Sequence, residues 1–211
     1  MNRKTAREAL ARLREGNARF TESLKDSGGF LSGTGRPQLT QSQAPFAIIL
    51  GCSDARVPAE IVFDQGLGDL FVIRVAGNIV APSQVGSVEF AAERFKTRLV
   101  VVLGHSQCGA ITATLEELQR PGETQSANLR SIVDRVRPSV EALLETDLRN
   151  NLDKLRGQAV RMNIRASADH LRHGSQILEQ LIRDEGLLVV GAEYSIETGV
   201  VDFFDGVPAA S

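Results

Sequence analysis

Tryptophan is absent from this chain, tyrosine occurs once and histidine three times. Cysteine occurs twice, at Cys52 and Cys108, which excludes the multi-bridge framework of a small secreted scaffold. No apolar run approaches the ~20 residues that a membrane-spanning helix needs, so no membrane role is expected. An excess of one charge is missing as well. The 24 Lys and Arg stand against 26 Asp and Glu, giving a net charge of -2 and a pI near 6.0. That balance offers no bulk attraction for nucleic acid or an anionic membrane, and neither is expected as a partner. Repeats and low-complexity tracts are lacking. The Gly-rich segment from Gly28 to Gly35 has no G-x4-G-K spacing and follows no strand, so it is not a phosphate loop. Arg3, Lys4 and Arg7 open the chain, but no apolar stretch follows and Glu8 and Glu15 interrupt the basic run. Neither a secretory signal nor a transit peptide is therefore expected.

What is present has the proportions of a globular protein. Over 211 residues, 42% are hydrophobic and 24% charged, enough to build one domain around a real core. Two stretches organise it. Leu50-Gly51-Cys52-Ser53-Asp54-Ala55-Arg56 and Val101-Val102-Leu103-Gly104-His105-Ser106-Gln107-Cys108-Gly109 each begin as an aliphatic run ending in glycine. Each then sets out side chains able to bind a metal. Buried parallel strands read as such runs, and open α/β sheets place their sites beyond the carboxyl ends of the strands. Taken singly, Cys52 and Cys108 read as small core residues and His105 as a satisfied buried histidine. Taken together after two such strands, they form a ligand set with Asp54 beside it. Two thiolates and one imidazole, with a fourth position open or contested by an acid, match a catalytic zinc rather than a closed structural one. Soft sulfur argues for zinc over magnesium or calcium. With both cysteines given to metal, none is left for a disulfide, which suits a reducing, cytoplasmic setting. A redox role is weaker, since the spacing is not C-x-x-C.

The remaining chain reads as an α/β fold: a parallel-centred four-stranded sheet plus an edge strand, flanked by helices, with an N-terminal helical arm. Ala6, Ala9, Leu10, Leu13, Ala18 and Phe20 fall at helical spacing and predict an amphipathic helix from Thr5 to about Thr21. A flexible connector with Gly28, Gly29, Gly33, Gly35 and Pro37 follows. Strands are expected at Phe46 to Leu50, Leu70 to Val75, Leu99 to Leu103 and Leu187 to Val190, with an edge strand at Val200 to Phe204. Helices are expected from Pro58 to about Phe63, to about Phe95 from a cap at Ser83, from about Cys108 to Leu118, and from Gln176 to Arg183. Pro121-Gly122 closes the first part. Ser126 to Leu144 and Leu148 to about His170 read as two longer helices. The boundaries are thus one domain over 1–211, with an arm at 1–25, a zinc core at 45–205 and a helical insertion at about 126–172. His170 and His173 fall outside the metal motifs and read as solvent-facing.

Cys-Ser-Asp-Ala-Arg followed by Gly-His-Ser-Gln-Cys-Gly-Ala resembles the β-class carbonic anhydrases. Leu13-Arg14-Glu15-Gly16-Asn17-Ala18-Arg19-Phe20, Leu70 to Asn78 and Gly191-Ala192-Glu193-Tyr194 resemble further blocks of that family in the same order, so the likeness spans nearly the whole chain. Carbonic anhydrases with three histidine ligands share the chemistry but not this ligand set. The resemblance implies reversible hydration of CO2 to bicarbonate, with Zn2+ held by Cys52, His105 and Cys108 and hydroxide generated at the metal. It implies a homodimer or homotetramer, with the first helix reaching over a second subunit or else covering its own core.

Two thiolates nearly cancel the charge of zinc, so its water is acidified less than on a three-histidine site and the protein must help. Asp54, ionised against Arg56, is an acceptor only and can orient the attacking oxygen, while Arg56 holds the carboxylate through a charge-assisted pair. The resemblance adds Gln43, nine residues before Cys52, as a substrate-binding amide reaching a neighbouring subunit, and Phe71, Ala76 and Gly109 as pocket residues. It also implies a closed state in which Asp54 takes the fourth zinc position. Bicarbonate-regulated relatives close around a tryptophan–arginine–tyrosine triad. Here those positions match Ile49, Arg74 and Tyr194, so bicarbonate is not expected to hold the enzyme shut. Two alternatives stay open: a zinc hydrolase acting on CS2 or COS, and a zinc-binding protein without turnover.

Overall fold

The computed structural model describes residues 5–25, 43–119 and 126–209. The elements follow one another as α1 (Ala6–Lys25), β1 (Ala47–Gly51), α2 (Ala59–Val62), β2 (Leu70–Arg74), α3 (Pro82–Arg94), β3 (Leu99–His105) and α4 (Gly109–Gln119). After them come α5 (Ala127–Val140), α6 (Leu152–His173), α7 (Gln176–Glu185), β4 (Leu188–Tyr194) and β5 (Val201–Asp205). The five strands make one sheet in the order β2-β1-β3-β4-β5. The first four are parallel, and β5 runs antiparallel to β4 with a bulge at Gly191/Ala192. The glycine-rich connector and Pro121-Gly122 lie outside the described residues.

Both faces of the sheet are covered, which is why its strands read as unbroken apolar runs rather than alternating ones. Ile48, Leu50, Val100 and Val102 turn to one side and pack with Val88 of α3, Ile111 of α4, Val136 of α5, Ile164 of α6 and Leu178 of α7. Ala47, Ile49, Val101 and Leu103 turn to the other side, against Leu10 and Leu13 of α1 and Val62 of α2. Each fully buried aliphatic side chain contributes about 1.5–3 kcal/mol relative to an exposed one.

Helix α1 thus covers its own sheet. Gly16 makes this possible, because a Cβ there would lie 1.8 Å from the carbonyl oxygen of Phe63. The neighbouring Asn17 is buried and uses its whole amide: Nδ2 donates to the carbonyls of Val62 and Gly199, and Oδ1 accepts from the Val201 N–H, all at 2.9 Å.

The helical boundaries correct three expectations. Ser83 does not cap α3; the helix starts one residue earlier, at Pro82, whose fixed φ and missing N–H suit a first turn. The Ser83 hydroxyl bonds the Gln84 side chain instead. Ser126 precedes α5 and caps it, its hydroxyl accepting from the Leu129 N–H. The helix nevertheless ends at Val140, short of Leu144, because Pro138 within it removes an N–H. Two 3-10 turns, Glu141–Glu145 and Asp147–Asn150, fill the gap. Helix α6 begins at Leu152 rather than Leu148, where Asn151 accepts from the Lys154 N–H.

The strand order places the site. From β1 the chain crosses outward to β2 and then returns to the opposite side of β1 to form β3. The carboxyl ends of β1 and β3 therefore flank a topological switch point, the crevice in which open α/β sheets bind their ligands. Cys52 directly follows β1, and His105 ends β3.

Candidate metal centre

Three of the expected ligands converge at that switch point. The ligating atoms of Cys52, His105 and Cys108 all lie within 4.8 Å of one another, and all three residues are buried. The two sulfurs are 4.0 Å apart, and both cysteines are free thiols. Cys52 is carried by the turn after β1. Cys108 sits immediately before α4, where the N–H groups of Ala110 and Ile111 favour its thiolate.

The imidazole is presented by its neighbour. His105 Nδ1 lies 2.8 Å from the Ser106 carbonyl, a contact in which Nδ1 carries the proton and Nε2 keeps its lone pair. Nε2 is fully buried and has no hydrogen-bond partner among the described residues. A buried basic nitrogen left unpaired costs free energy unless something binds it. The sulfurs tell the same story. The hydrogen bond from Cys108 pulls the Cys52 thiol down to about 4 against the opposing effect of burial, with the Gly77 and Asp54 backbone N–H groups assisting. Cys108 is pushed up by that same bond and by burial. One thiolate is comfortable here and the second needs a cation. The donor set therefore fits a soft divalent ion such as zinc.

Asp54 stands beside this cluster, engaged elsewhere. Arg56 grips it bidentately, Nε to Oδ1 at 2.9 Å and Nη2 to Oδ2 at 2.7 Å, and the Arg56 N–H adds a third bond to Oδ1 at 3.0 Å. These bonds hold the Asp54 carboxyl well below the usual carboxylate range. Its Oδ2 is 3.9 Å from His105 Nε2, and the carboxylate remains with the arginine rather than joining the ligands.

The supporting contacts were not legible in the motifs. Arg74, expected in a regulatory triad, donates instead to the carbonyls of Cys52 at 2.9 Å and Asp54 at 2.5 Å, bracing the turn that holds them. Ile49 and Tyr194 are buried in the same apolar cluster. Ala76 opens a 3-10 turn, Ala76–Asn78, in which Gly77 has φ +71 and donates its N–H to Cys52 Sγ at 3.4 Å. Helix α6 pins that turn from behind: Asn163 Nδ2 donates to the Gly77 carbonyl at 2.8 Å and Ser167 Oγ to the Asn78 carbonyl at 3.0 Å. Asn163 and Ser167 are buried on α6, which only the folded arrangement reveals.

The expected pocket residues sit on β2, at the 3-10 turn that follows it, at the head of α4 and ahead of β1. Phe71 stacks with Phe90 and Phe95 at centroid distances of 6.2 and 6.0 Å. Gly109 starts α4, and a Cβ there would face open space among the described residues, with nothing beyond its own helix and chain neighbours within 4 Å. Gln43 is exposed, ahead of β1. His173 lies 3.5 Å from Asp169 on the exposed end of α6, and neither it nor His170 joins the cluster. No described helix is long and apolar enough to cross a membrane.

Comparison with known proteins now adds to the geometry. A family model described as carbonic anhydrase matches residues 47–201. The chain is 40% identical over 192 residues to a carbonic anhydrase of Mycolicibacterium smegmatis, covering 90% of this chain and 89% of that one. It is 36% identical over 187 residues to carbonic anhydrase 2 of Mycobacterium tuberculosis, covering 89% and 87%. Among solved structures, one from work on two tetrameric β-carbonic anhydrases of the ascomycete Sordaria macrospora superposes with a TM-score of 0.71 at 25% identity, covering 95% of this chain and 98% of that one.

Proposed function

This chain belongs to the β-class carbonic anhydrases, and on that premise we propose that it catalyses the reversible hydration of carbon dioxide to bicarbonate at a zinc ion held by Cys52, His105 and Cys108. The observation that carries this reading is the buried, unpartnered Nε2 of His105, set between two sulfurs and beside an aspartate already fixed by arginine. Zinc bound there supplies acidity, bringing the pKa of a water molecule from 15.7 toward ~7 in the best case.

The rest of the work falls to the chain. Asp54 is ionised at neutral pH and accepts hydrogen bonds only, so it takes the proton side of the attacking water and leaves a lone pair facing the substrate. Arg56 fixes that acceptor in one orientation at both oxygens, and its own charge discourages Asp54 from moving toward the metal. Arg74 and the Gly77 N–H hold the Cys52 turn still while the proton is transferred. Carbon dioxide is small and uncharged, so apolar walls and a single amide suffice to orient it. Phe71, Ala76 and Gly109 fill the first role and Gln43 the second.

Gln43 is exposed on its own chain and serves the pocket of a second copy, which makes the working assembly at least a dimer. The tetrameric Sordaria proteins are a precedent on the same fold. Two free buried thiols suit a reducing compartment, and we place the enzyme in the cytoplasm.

The test joins metal analysis to stopped-flow CO2 hydration on one preparation. About one zinc per chain and turnover abolished in Cys52→Ser or His105→Ala are expected. Both cysteines reacting freely with a thiol reagent in the native, metal-replete protein would overturn the site.

A further inference from the structure

The residues between the second and third ligands, Ser106 and Gln107, are gripped from outside the motif. Glu197 belongs to the turn that joins β4 to β5. Its Oε2 accepts from Ser106 Oγ at 2.7 Å and from Ser195 Oγ at 3.1 Å, while its Oε1 accepts from Gln107 Nε2 at 2.6 Å. The Ile196 N–H donates to Ser106 Oγ at 3.0 Å, and the Ser106 N–H donates to the Tyr194 carbonyl at 2.9 Å. The ligand loop is thereby stitched to the β4–β5 turn along its length.

Two features show what this stitching does. Gln107 has φ +55, a left-handed backbone that is strained for any residue with a Cβ and persists only where its surroundings impose it. That conformation separates His105, at the end of β3, from Cys108, at the head of α4, so it sets the angle between two ligands. The carbonyls of the same two residues are also in use. That of Ser106 faces His105 Nδ1, and that of Gln107 accepts from Arg56 Nη2 at 3.4 Å. One carboxylate thus reaches the imidazole through Ser106 and the Asp54–Arg56 pair through Gln107.

We propose that Glu197 is a positioning residue that holds the Ser106–Gln107 turn in the strained shape from which His105 and Cys108 meet a single metal ion and Arg56 meets the Gln107 carbonyl. Glu197 touches neither metal nor substrate and acts through the turn alone. The inference rests on the metal-centre reading given above.

The experiment measures zinc affinity of the full-length holoenzyme by chelator competition, with thermal unfolding of the metal-free protein alongside. Glu197→Ala should weaken zinc at least tenfold while the metal-free melting temperature falls only a little, by the turn's lost bonds. A merely structural residue would lower the melting temperature and leave the zinc affinity of the folded protein at wild type. Adding Gln107→Gly to Glu197→Ala should recover part of the lost affinity, because glycine adopts the left-handed backbone without being held there. Should the alanine variant not fold, Glu197→Gln, which keeps the shape but offers one acceptor oxygen instead of two, is read on the same scale with an intermediate loss. Unchanged zinc affinity in the folded variant, or a loss that glycine does not relieve, overturns the inference and leaves the metal centre intact. A wild-type protein without zinc affinity overturns the metal centre itself, and the inference with it.

Discussion

Replacing Asn17 by alanine should cost more than any surface change of similar size. The side chain is 6% exposed and fills three backbone valences at 2.9 Å each: the carbonyls of Val62 and Gly199 and the N–H of Val201. Alanine keeps the helix, since its propensity is the highest of all residues, so local helix stability cannot be the source of any loss. What remains is three buried polar groups without partners, each costing about 1–3 kcal/mol. Taking about 1–1.7 kcal/mol for each, because some water will reach the end of the turn, gives roughly 3–5 kcal/mol. In urea unfolding at fixed protein concentration, with a slope of about 2 kcal/mol/M, the midpoint should fall by roughly 1.5–2.5 M. Asn17→Asp should fare no better, because it loses both donors and buries a charge. A midpoint shift below about 0.5 M for Asn17→Ala would refute the reasoning, since it would mean that α1 and the β4–β5 turn part at little cost.

Arg56→Ala should retain zinc yet lower CO2 hydration by about 10²-fold or more, the scale of a misplaced catalytic group; wild-type turnover in that variant would remove the Asp54–Arg56 pair from the mechanism. Bicarbonate should not shut the enzyme at neutral pH, because Ile49 lacks an indole donor and Arg74 is committed to the Cys52 and Asp54 carbonyls; activity measured with and without added bicarbonate checks this, and a cooperative loss would contradict it. Acid stability should carry a Glu197 component. Its carboxyl is lowered to about 2 from 4.5, chiefly by the Ser106 hydroxyl, so the stability it contributes is complete above pH 4.5 and is lost as pH falls through about 2. Glu197→Gln should flatten that acid limb in a pH-dependent unfolding series, and an unchanged limb would assign it to other carboxylates.

The sheet and the three side chains that converge at the switch point were legible because their signals are chemically scarce or continuous. Strands buried on both faces leave unbroken aliphatic runs, and β1 and β3 do so almost without interruption. Two cysteines in the whole chain, each following such a run or its histidine, leave little room for a different metal site. Pairing of Asp54 with Arg56 is equally local, two residues apart on one turn. The helical insertion was harder, and for a stated reason. Its apolar spacing carries on past Val140, while Pro138 and Asn151, both visible in the sequence, set where the helices stop and start.

What escaped the sequence is the set of residues that make the scarce ones behave. Asn17, Asn163, Ser167 and Glu197 are ordinary polar residues at ordinary helical or turn positions, and nothing local distinguishes them from solvated ones, while Arg74 is met in the sequence only through the triad and not through its bonds to the Cys52 turn. Each acts on a backbone group or a turn far away in the chain: Asn163 on Gly77 across 86 residues, Glu197 on Gln107 across 90. Such pairings arise only once β3 and β4 lie side by side and α6 crosses beneath them. The three ligands by themselves would be satisfied by several loop shapes. The bonds from Arg74, Asn163 and Glu197 each remove one freedom of a different turn at the site, after β1, after β2 and after β3, the first and last of which carry the candidate ligands. The candidate metal site is therefore written in the motifs, whereas its rigidity is written in the helices and the β4–β5 turn that pack behind them.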